Sequence, residues 1–314
     1  MELVELPDPV AEGDAWVGDV VAAGVNYADT HQTEDTYLAP QQLPLVPGAE
    51  VVARTPDGRR VVALTTGGYA ERAVVHPALA YDVPDVVSDG AALHVVLQGS
   101  TAWHLLRTSA HLETGESVVV HAAAGGVGSL AVQLAKAWGA GRVIATASSE
   151  DKRGLALELG ADVAVSPEPE GLRDRLREAN DGRPVDVVLE MTGGRVFDES
   201  LRALAPFGRL VTYGMASRET PTPVTSGELM ARSRAVVGFW LAHCFSRPQM
   251  LRAAMDELLP ALAEGWLRAV VGGTYALADA RRAHEDILSR RTTGKLVLSP
   301  ALQPAASPSP SGAA

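Results

Sequence analysis

The chain has 314 residues, of which 46% are hydrophobic and 21% charged, and it carries a formal net charge of −11 with a pI near 5.2. This composition is typical of a globular chain long enough for two domains, and the acidic balance argues against a basic face for nucleic acid or membrane. A single cysteine, Cys244, excludes an internal disulfide and a cysteine-rich zinc site. We therefore expect a small-molecule partner.

The first ten residues, MELVELPDPV, lack the basic and apolar regions of a secretory signal. No stretch of the chain approaches the roughly 20 apolar residues that a membrane-spanning helix needs. We expect a cytoplasmic protein without membrane association.

From the N-terminus to about residue 98, short β-rich runs such as VVAAGV and RRVVAL are broken by Pro and Gly, which predicts an irregular, mostly antiparallel β-barrel. From about Ala102, strand-like runs such as SVVV, RVIATAS and VDVVLE alternate with amphipathic stretches of helical length. This alternation predicts βαβ units on a parallel, doubly wound Rossmann sheet. The overall prediction is an α/β protein.

The C-terminal third returns to the first domain in this prediction. A helix is expected over Pro248–Glu264, and the closing run KLVLSP predicts a strand. The last residues, rich in Pro, Ser and Ala, predict a disordered tail. We thus expect a catalytic domain over 1–98 and 242–302, a dinucleotide-binding domain over 99–241 and a tail over 303–314.

The segment HAAAGGVG, residues 121–128, follows a strand and opens an apolar helix. Small residues in this place let the turn tighten, let the backbone approach a pyrophosphate and let the helix pack on the strand. Against the pattern G-x-G-x-x-G, alanine replaces the first glycine. The helix start provides backbone amides for an anion, although a tight turn without ligand is the alternative. The candidate cofactor contacts are Ala124, Gly125, Gly126, Val127 and Gly128.

The next strand ends at Ser148, twenty residues after Gly128, where NAD-binding proteins place an acidic residue for the ribose diol. Here Ser148 and Ser149 are followed by Lys152, and hydroxyls with a cation suit a 2′-phosphate. The pattern therefore predicts NADPH as the cofactor. Glu150 and Asp151 are expected at a helix start, where acids favour the dipole. A solvated helix face is the alternative for Lys152.

Several further motifs follow one another along the chain up to about Pro300. In this order they resemble the medium-chain dehydrogenase/reductase superfamily, and within it the zinc-free quinone oxidoreductase-like branch. The resemblance implies a GroES-like catalytic domain beside the Rossmann domain, and a homodimer paired through an edge strand at 235–241. The motifs are GVNYAD (24–29) with Tyr37, PGAE (47–50), GGYAE (67–71), GSTAW (99–103), HAAAGGVG, LGA (159–161) and TGK (293–295).

The resemblance also implies site residues. It places Asn26 and Tyr37 near the nicotinamide as catalytic residues, and a tyrosine in the Tyr37 position donates a proton in related enoyl-thioester reductases. From the residues alone, a turn-capping amide and a packing aromatic are the alternatives, and a solvated strand end is the alternative for Lys295. Further residues placed at the cofactor are Thr101, Thr192, Gly193, Gly214 and Lys295.

Zinc enzymes of this family have Cys where Asn26 stands, His where Ala49 stands, and a further Cys or Asp near Leu97. A catalytic zinc needs about three protein ligands, so the resemblance implies no metal at this site. Quinones and conjugated carbonyls are electrophilic without a Lewis acid, and hydrogen bonds to the developing oxyanion then suffice. We expect hydride transfer from NADPH to a quinone or an α,β-unsaturated carbonyl. The alternatives are an enoyl-thioester reductase of fatty-acid or polyketide assembly and a non-catalytic NADPH-binding protein.

Overall fold

The computed structural model describes residues 1–304. The predicted tail therefore lies, from residue 305 onward, outside the described residues. No helix in the described range is long and apolar enough to cross a bilayer. The strands along 1–304 are β1 (Trp16–Val25), β2 (Glu50–Arg54), β3 (Arg60–Leu64), β4 (Arg72–Val75), β5 (Ala80–Asp82), β6 (Ser117–Val120), β7 (Arg142–Thr146), β8 (Val163–Val165), β9 (Val185–Glu190), β10 (Leu204–Thr212), β11 (Ala235–Gly238), β12 (Val271–Ala276) and β13 (Lys295–Ser299).

The helices alternate with these strands mainly in the central part of the chain. Short 3₁₀ turns span Pro77–Leu79, Leu241–Cys244 and Leu277–Asp279, and π-helical stretches span His94–Gly99 and Leu105–Ser109. The α-helices within residues 1–304 are α1 (Tyr27–Thr33), α2 (Asp89–Leu93), α3 (Ser100–His104), α4 (Gly126–Ala137), α5 (Glu150–Glu158), α6 (Leu172–Ala179), α7 (Gly194–Ala203), α8 (Ser226–Met230), α9 (Pro248–Glu264) and α10 (Ala280–Leu288).

The described residues form two compact units, one of Met1–Leu93 with 271–304 and one of His94–Val270. These boundaries differ from the predicted ones, because the segment 242–270 belongs to the second unit. Its helix α9 has the predicted bounds and packs against α3 and the π-helical stretch His94–Gly99. At its end, the backbone amide of Val270 donates to His94 Nδ1 at 3.2 Å. Periodicity alone could not show which domain this helix covers.

The first unit is built on a seven-stranded sheet in the order β12-β13-β1-β2-β3-β5, with β4 also paired to β1. All pairs are antiparallel except β12 with β13, so the predicted mostly antiparallel sheet is confirmed. The closing run KLVLSP forms β13 and pairs with β1, with Gly24 opposite Val297. Strand β1 therefore lies between β13 and β2, and the first residues of both neighbours lie near Asn26.

The second unit is built on a six-stranded parallel sheet in the order β11-β10-β9-β6-β7-β8. The chain leaves β6 toward β7 on one side and leaves β9 toward β10 on the other, which confirms the doubly wound topology. In such a sheet the ligand crevice opens at the carboxyl ends of the two strands where the order reverses. That point lies between β6 and β9.

Candidate functional site

The turn after β6 brings five of the predicted cofactor contacts to the carboxyl edge of the parallel sheet. Gly125 is the N-cap of α4, and Ala124 is buried beside it. A side chain at Gly128 would overlap the carbonyl oxygen of Ala122, so only glycine lets α4 dock this closely on the turn. The first amides of the helix have no acceptors within the helix and form an anion site.

His121 opens this turn but has a structural role. Its ring nitrogens lie 2.9 Å from Thr146 Oγ1 and 2.8 Å from Ser200 Oγ. Complete burial lowers the pKa of the imidazole to about 4, so the ring is neutral at ordinary pH. It ties the ends of β6 and β7 to α7.

The residues after β7 form a surface suited to a phosphate. Ser148 and Ser149 are exposed, and Ser149 caps α5 by accepting from the backbone amide of Lys152 at 3.3 Å. Lys152 is partly buried, and this burial lowers the pKa of its ammonium. Glu150 and Asp151 occupy the first turn of α5, as expected. The two serines and Lys152 thus lie together between the end of β7 and the first turn of α5.

The remaining predicted contacts of the second unit divide into two groups. Thr192, Gly193 and Gly214 follow β9 and β10 at the same carboxyl edge. Thr101 instead lies inside α3, buried, with its hydroxyl donating to the carbonyl of Leu97 at 2.7 Å. Its side chain is therefore engaged within its own helical segment.

A buried triad at one end of β1 holds Asn26 in the first unit. Asn26 Nδ2 donates to Glu50 Oε1 at 2.9 Å, while Asn26 Oδ1 accepts from Lys295 Nζ at 3.1 Å. Lys295 also pairs directly with Glu50, and neither side chain is exposed. Because Glu50 can only accept and Lys295 can only donate, they fix the orientation of the Asn26 amide, with Nδ2 toward Glu50 and Oδ1 toward Lys295. The solvated strand end considered for Lys295 is wrong, because its ammonium is fully enclosed.

Gly24 makes this triad possible. A Cβ at this position would overlap Glu50 Oε1 and lie 2.6 Å from Lys295 Cε. The ion pair therefore occupies the space beside β1 that a side chain would fill. This requirement explains a glycine in the apolar second half of β1, residues 20–25.

A second hydrogen-bonded chain adjoins the triad. The Tyr69 hydroxyl donates to Asp29 Oδ2 at 2.9 Å and lies 3.1 Å from His284 Nε2. Asp29 Oδ2 also accepts from the backbone amide of Asn26 at 2.8 Å. Burial raises the pKa of Asp29 to about 6, and it lowers the pKa of His284 to about 4. Asp29 thus links the backbone at Asn26 to Tyr69.

Tyr37, the second predicted catalytic residue, lies in the irregular segment between α1 and β2. Its ring stacks on His31 with centroids 5.7 Å apart, and His31 also meets Tyr27 edge to face. Tyr37 is partly exposed. The stack holds Tyr37 against α1, the helix that begins directly after Asn26.

Four residues with a structural part in the site were not singled out from the sequence. Glu50 and Tyr69 stand in the motifs PGAE and GGYAE, so the motifs were the available signal. Glu190 is the last residue of β9, and its position directly before the turn at 191–194 was the signal that could have identified it. His284 had no such signal, because it comes from a helix near the C-terminus.

No group of three or more His, Cys, Asp or Glu side chains among residues 1–304 is arranged to hold a metal ion. Asn26 stands in the triad with Glu50 and Lys295. Ala49, directly before β2, carries no ligating atom. Lys295 Nζ donates to Asn26 Oδ1, the one oxygen of this side chain that could bind a metal ion.

The fold and these motifs define a class. The chain matches a family model described as zinc-binding dehydrogenase over residues 126–260, which lie in the second unit and include neither Asn26 nor Ala49. Together with the relatives named below, this match shows that the chain belongs to the medium-chain dehydrogenase/reductase superfamily, in its quinone oxidoreductase-like branch. Members of this class are oxidoreductases.

Several of the particular proteins that the chain is similar to are quinone oxidoreductases. It is 36% identical over 292 residues to that of Pseudomonas aeruginosa, with 89% of each chain covered. The quinone oxidoreductase of Thermus thermophilus, solved also in complex with NADPH, is 38% identical with a TM-score of 0.86 over 95% of both chains. The Escherichia coli enzyme, solved with NADPH, is 32% identical with a TM-score of 0.86 over 95% of this chain and 94% of its own.

Proposed function

We propose that the protein transfers hydride from NADPH to a quinone or an α,β-unsaturated carbonyl compound without a metal ion. The observation that carries the proposal is the triad in which an enclosed ammonium and carboxylate hold the amide of Asn26. The relatives named as quinone oxidoreductases support the acceptor class. The hydrogen bond from Lys295 Nζ to Asn26 Oδ1 supports chemistry without a metal ion at this amide.

The second unit supports NADPH as the cofactor. The amides at the start of α4 would bind the pyrophosphate, and the hydroxyls of Ser148 and Ser149 with the ammonium of Lys152 would bind the 2′-phosphate. The turns at 192–193 and at Gly214 border the same carboxyl edge. When bound, the nicotinamide supplies the hydride.

The first unit would supply hydrogen bonds to the acceptor. An amide donor held rigidly at Asn26 is suited to stabilise the negative charge that develops on a carbonyl or quinone oxygen. The Tyr37 hydroxyl would donate a second hydrogen bond or a proton. Lys295 acts through Asn26 in this proposal, because its ammonium is enclosed by Asn26 and Glu50.

The test is the loss of NADPH absorbance with a panel of acceptors: a small quinone, a 2-alkenal and a short enoyl thioester. We expect turnover with the quinone or the alkenal and little with the thioester. A clear preference for the thioester would support carrier-bound substrates instead. Tight NADPH binding without turnover on any acceptor would show a binding protein and contradict the proposal.

Cofactor preference is tested in the same assay with NADH and with Lys152→Ala. Removing one charged contact to a phosphate is expected to raise the KM for NADPH about tenfold, which corresponds to roughly 1.4 kcal/mol. The KM for NADH is expected to stay within about twofold, since NADH lacks the 2′-phosphate. Lys136→Ala, which removes a lysine paired with Asp162, is the control. Equal effects on both cofactors would contradict the role of Lys152.

We also propose a homodimer that pairs through β11, one of the two edge strands of the parallel sheet. The amide of Phe239 donates to the carbonyl of Thr212, the last residue of the neighbouring strand β10. Because successive amides of a strand point to opposite sides, the amide of Gly238 points to the open edge of the sheet. Gly238→Pro removes that donor and is expected to convert the dimer to monomer in size-exclusion chromatography with light scattering. Gly238→Ala, with no atom within 4 Å of the added Cβ, is expected to stay dimeric. A dimer in both variants would contradict pairing through this edge.

A further inference from the structure

Glu190 is a buried carboxylate at the place where the parallel sheet reverses its order. It ends β9, which lies beside β6 at the crevice between the two halves of the sheet. Its side chain is completely buried. Nothing in the function proposed above uses this group. Burying a carboxylate costs free energy unless the charge is paired or hydrogen-bonded.

The carboxylate is held by backbone amides of the turn that follows it. Glu190 Oε1 accepts from the amide of Thr192 at 2.6 Å and from the amide of Gly193 at 3.0 Å. Among residues 1–304, Glu190 Oε2 has no hydrogen-bond partner, and no ion pair joins this carboxylate to a cation. A single oxygen atom, Glu190 Oε1, thus holds the turn at 191–194 through two backbone amides.

Backbone hydrogen bonds also join this turn to the segment after β10. The amide of Ala216 donates to the carbonyl of Met191 at 2.9 Å, and the amide of Ser217 donates to that of Thr192 at 2.8 Å. The amide of Gly194 donates back to the carbonyl of Glu219 at 2.9 Å. Residues 191–194 and 214–219 therefore form one hydrogen-bonded block. This block contains three proposed cofactor contacts, Thr192, Gly193 and Gly214.

We propose that Glu190 is a positioning residue whose ionised carboxylate keeps this block in the form that binds the cofactor, so that cofactor affinity falls when the carboxylate is protonated. The inference rests on the proposed function, since it concerns NADPH. An ionised oxygen holds two amides more strongly than a neutral carboxyl oxygen does. Protonation also creates a buried hydroxyl that needs an acceptor of its own.

The surroundings place this protonation close to neutral pH. Burial raises the pKa of Glu190 to about 7, against the opposing effect of the two amides. Tyr213, directly after β10, faces the carboxylate. Burial raises the pKa of its phenol well above the ordinary value of 10, and the charge of Glu190 acts in the same direction. On the β6 side, His121 is neutral. In the block itself the charged side chains are Glu219 and Arg218, and both are exposed.

The experiment measures NADPH affinity by fluorescence titration at pH 6 and pH 8 for the wild type, Glu190→Gln and Glu178→Gln. Between pH 8 and pH 6 the wild type should lose about fivefold more NADPH affinity than Glu190→Gln loses. The pH dependence of Glu190→Gln reports only the titration of the cofactor and of other groups. At pH 8, Glu190→Gln should bind about fivefold more weakly than the wild type. The kcat at saturating NADPH should change less than twofold. Glu178→Gln, which changes an exposed carboxyl on α6 outside the block, should match the wild type.

A second readout needs no cofactor. Amide hydrogen exchange of peptides covering 190–219, measured at one pH in the ligand-free protein, should be faster in Glu190→Gln than in the wild type, while peptides of β6 and β7 are unchanged. Identical affinity and exchange in Glu190→Gln and the wild type would overturn the inference and leave the proposed function intact. A wild type that binds no NADPH at either pH would overturn both.

Discussion

Replacing Lys295 by methionine is expected to lower the free energy of unfolding by about 3–5 kcal/mol. The substitution removes the ammonium and leaves Glu50 completely buried without a cation. It also removes the donor to Asn26 Oδ1, so the amide can rotate and activity should fall as well. The measurement is urea denaturation followed by circular dichroism, with turnover on the preferred acceptor measured in parallel.

Two further variants separate the buried charge from other effects of the substitution. Lys136→Met removes a lysine that pairs with Asp162 near the surface and should cost less than about 1 kcal/mol. The double variant Glu50→Gln, Lys295→Met leaves no charge behind and should recover part of the stability without recovering activity. If Lys295→Met unfolds like the wild type, the enclosed ion pair does not stabilise the first unit.

Replacing Gly128 by alanine is expected to weaken NADPH binding at least tenfold and to destabilise the second unit by roughly 1–3 kcal/mol. The new methyl group would overlap the carbonyl oxygen of Ala122 and lie 2.8 Å from the Cα of Ala123. The turn after β6 would therefore have to move away from α4, and the amides at the helix start would move with it. Fluorescence titration with NADPH and thermal denaturation measure the two effects.

Gly154→Ala is the matched control, since Gly154 also lies in a helix but has no atom within 4 Å of an added Cβ. Alanine there should be neutral or stabilise the protein by up to about 1 kcal/mol, because it reduces the freedom of the unfolded chain. Unchanged NADPH affinity in Gly128→Ala would show that the cofactor does not depend on this turn.

The parallel sheet of the second unit was predictable because its strands are continuous apolar runs separated by amphipathic helices. The edge strand at 235–241 was implied by the resemblance, and the observed strand β11 is shorter, at Ala235–Gly238. The helix Pro248–Glu264 followed from the periodic pattern of its segment. The assignment of that helix to a domain did not, because an apolar face shows that a helix is covered and does not show by what. Only the packing of α9 on α3 decides this.

The candidate site was predictable where one short motif contains it. The turn at 121–128 and the serines after β7 were found in this way. The partners of Asn26 were not, because Glu50 and Lys295 come from distant parts of the chain and meet it only through the pairing of β1 with β2 and β13. The sequence predicted a cofactor contact for Lys295, whereas its hydrogen bonds point to Asn26 and Glu50; a direct contact with NADPH stays untested.

The strand order of the first unit has a consequence for synthesis on the ribosome. Lys295 and Asn26 are 269 residues apart in the chain, and the whole second unit lies between them. A continuous segment such as His94–Val270 can fold as soon as it emerges, whereas β1 must wait for β13. Until then Glu50 has no cation and the edge of β1 is unpaired. The first unit is therefore completed last, and a nascent chain that stops before Lys295 exposes a strand edge open to aggregation.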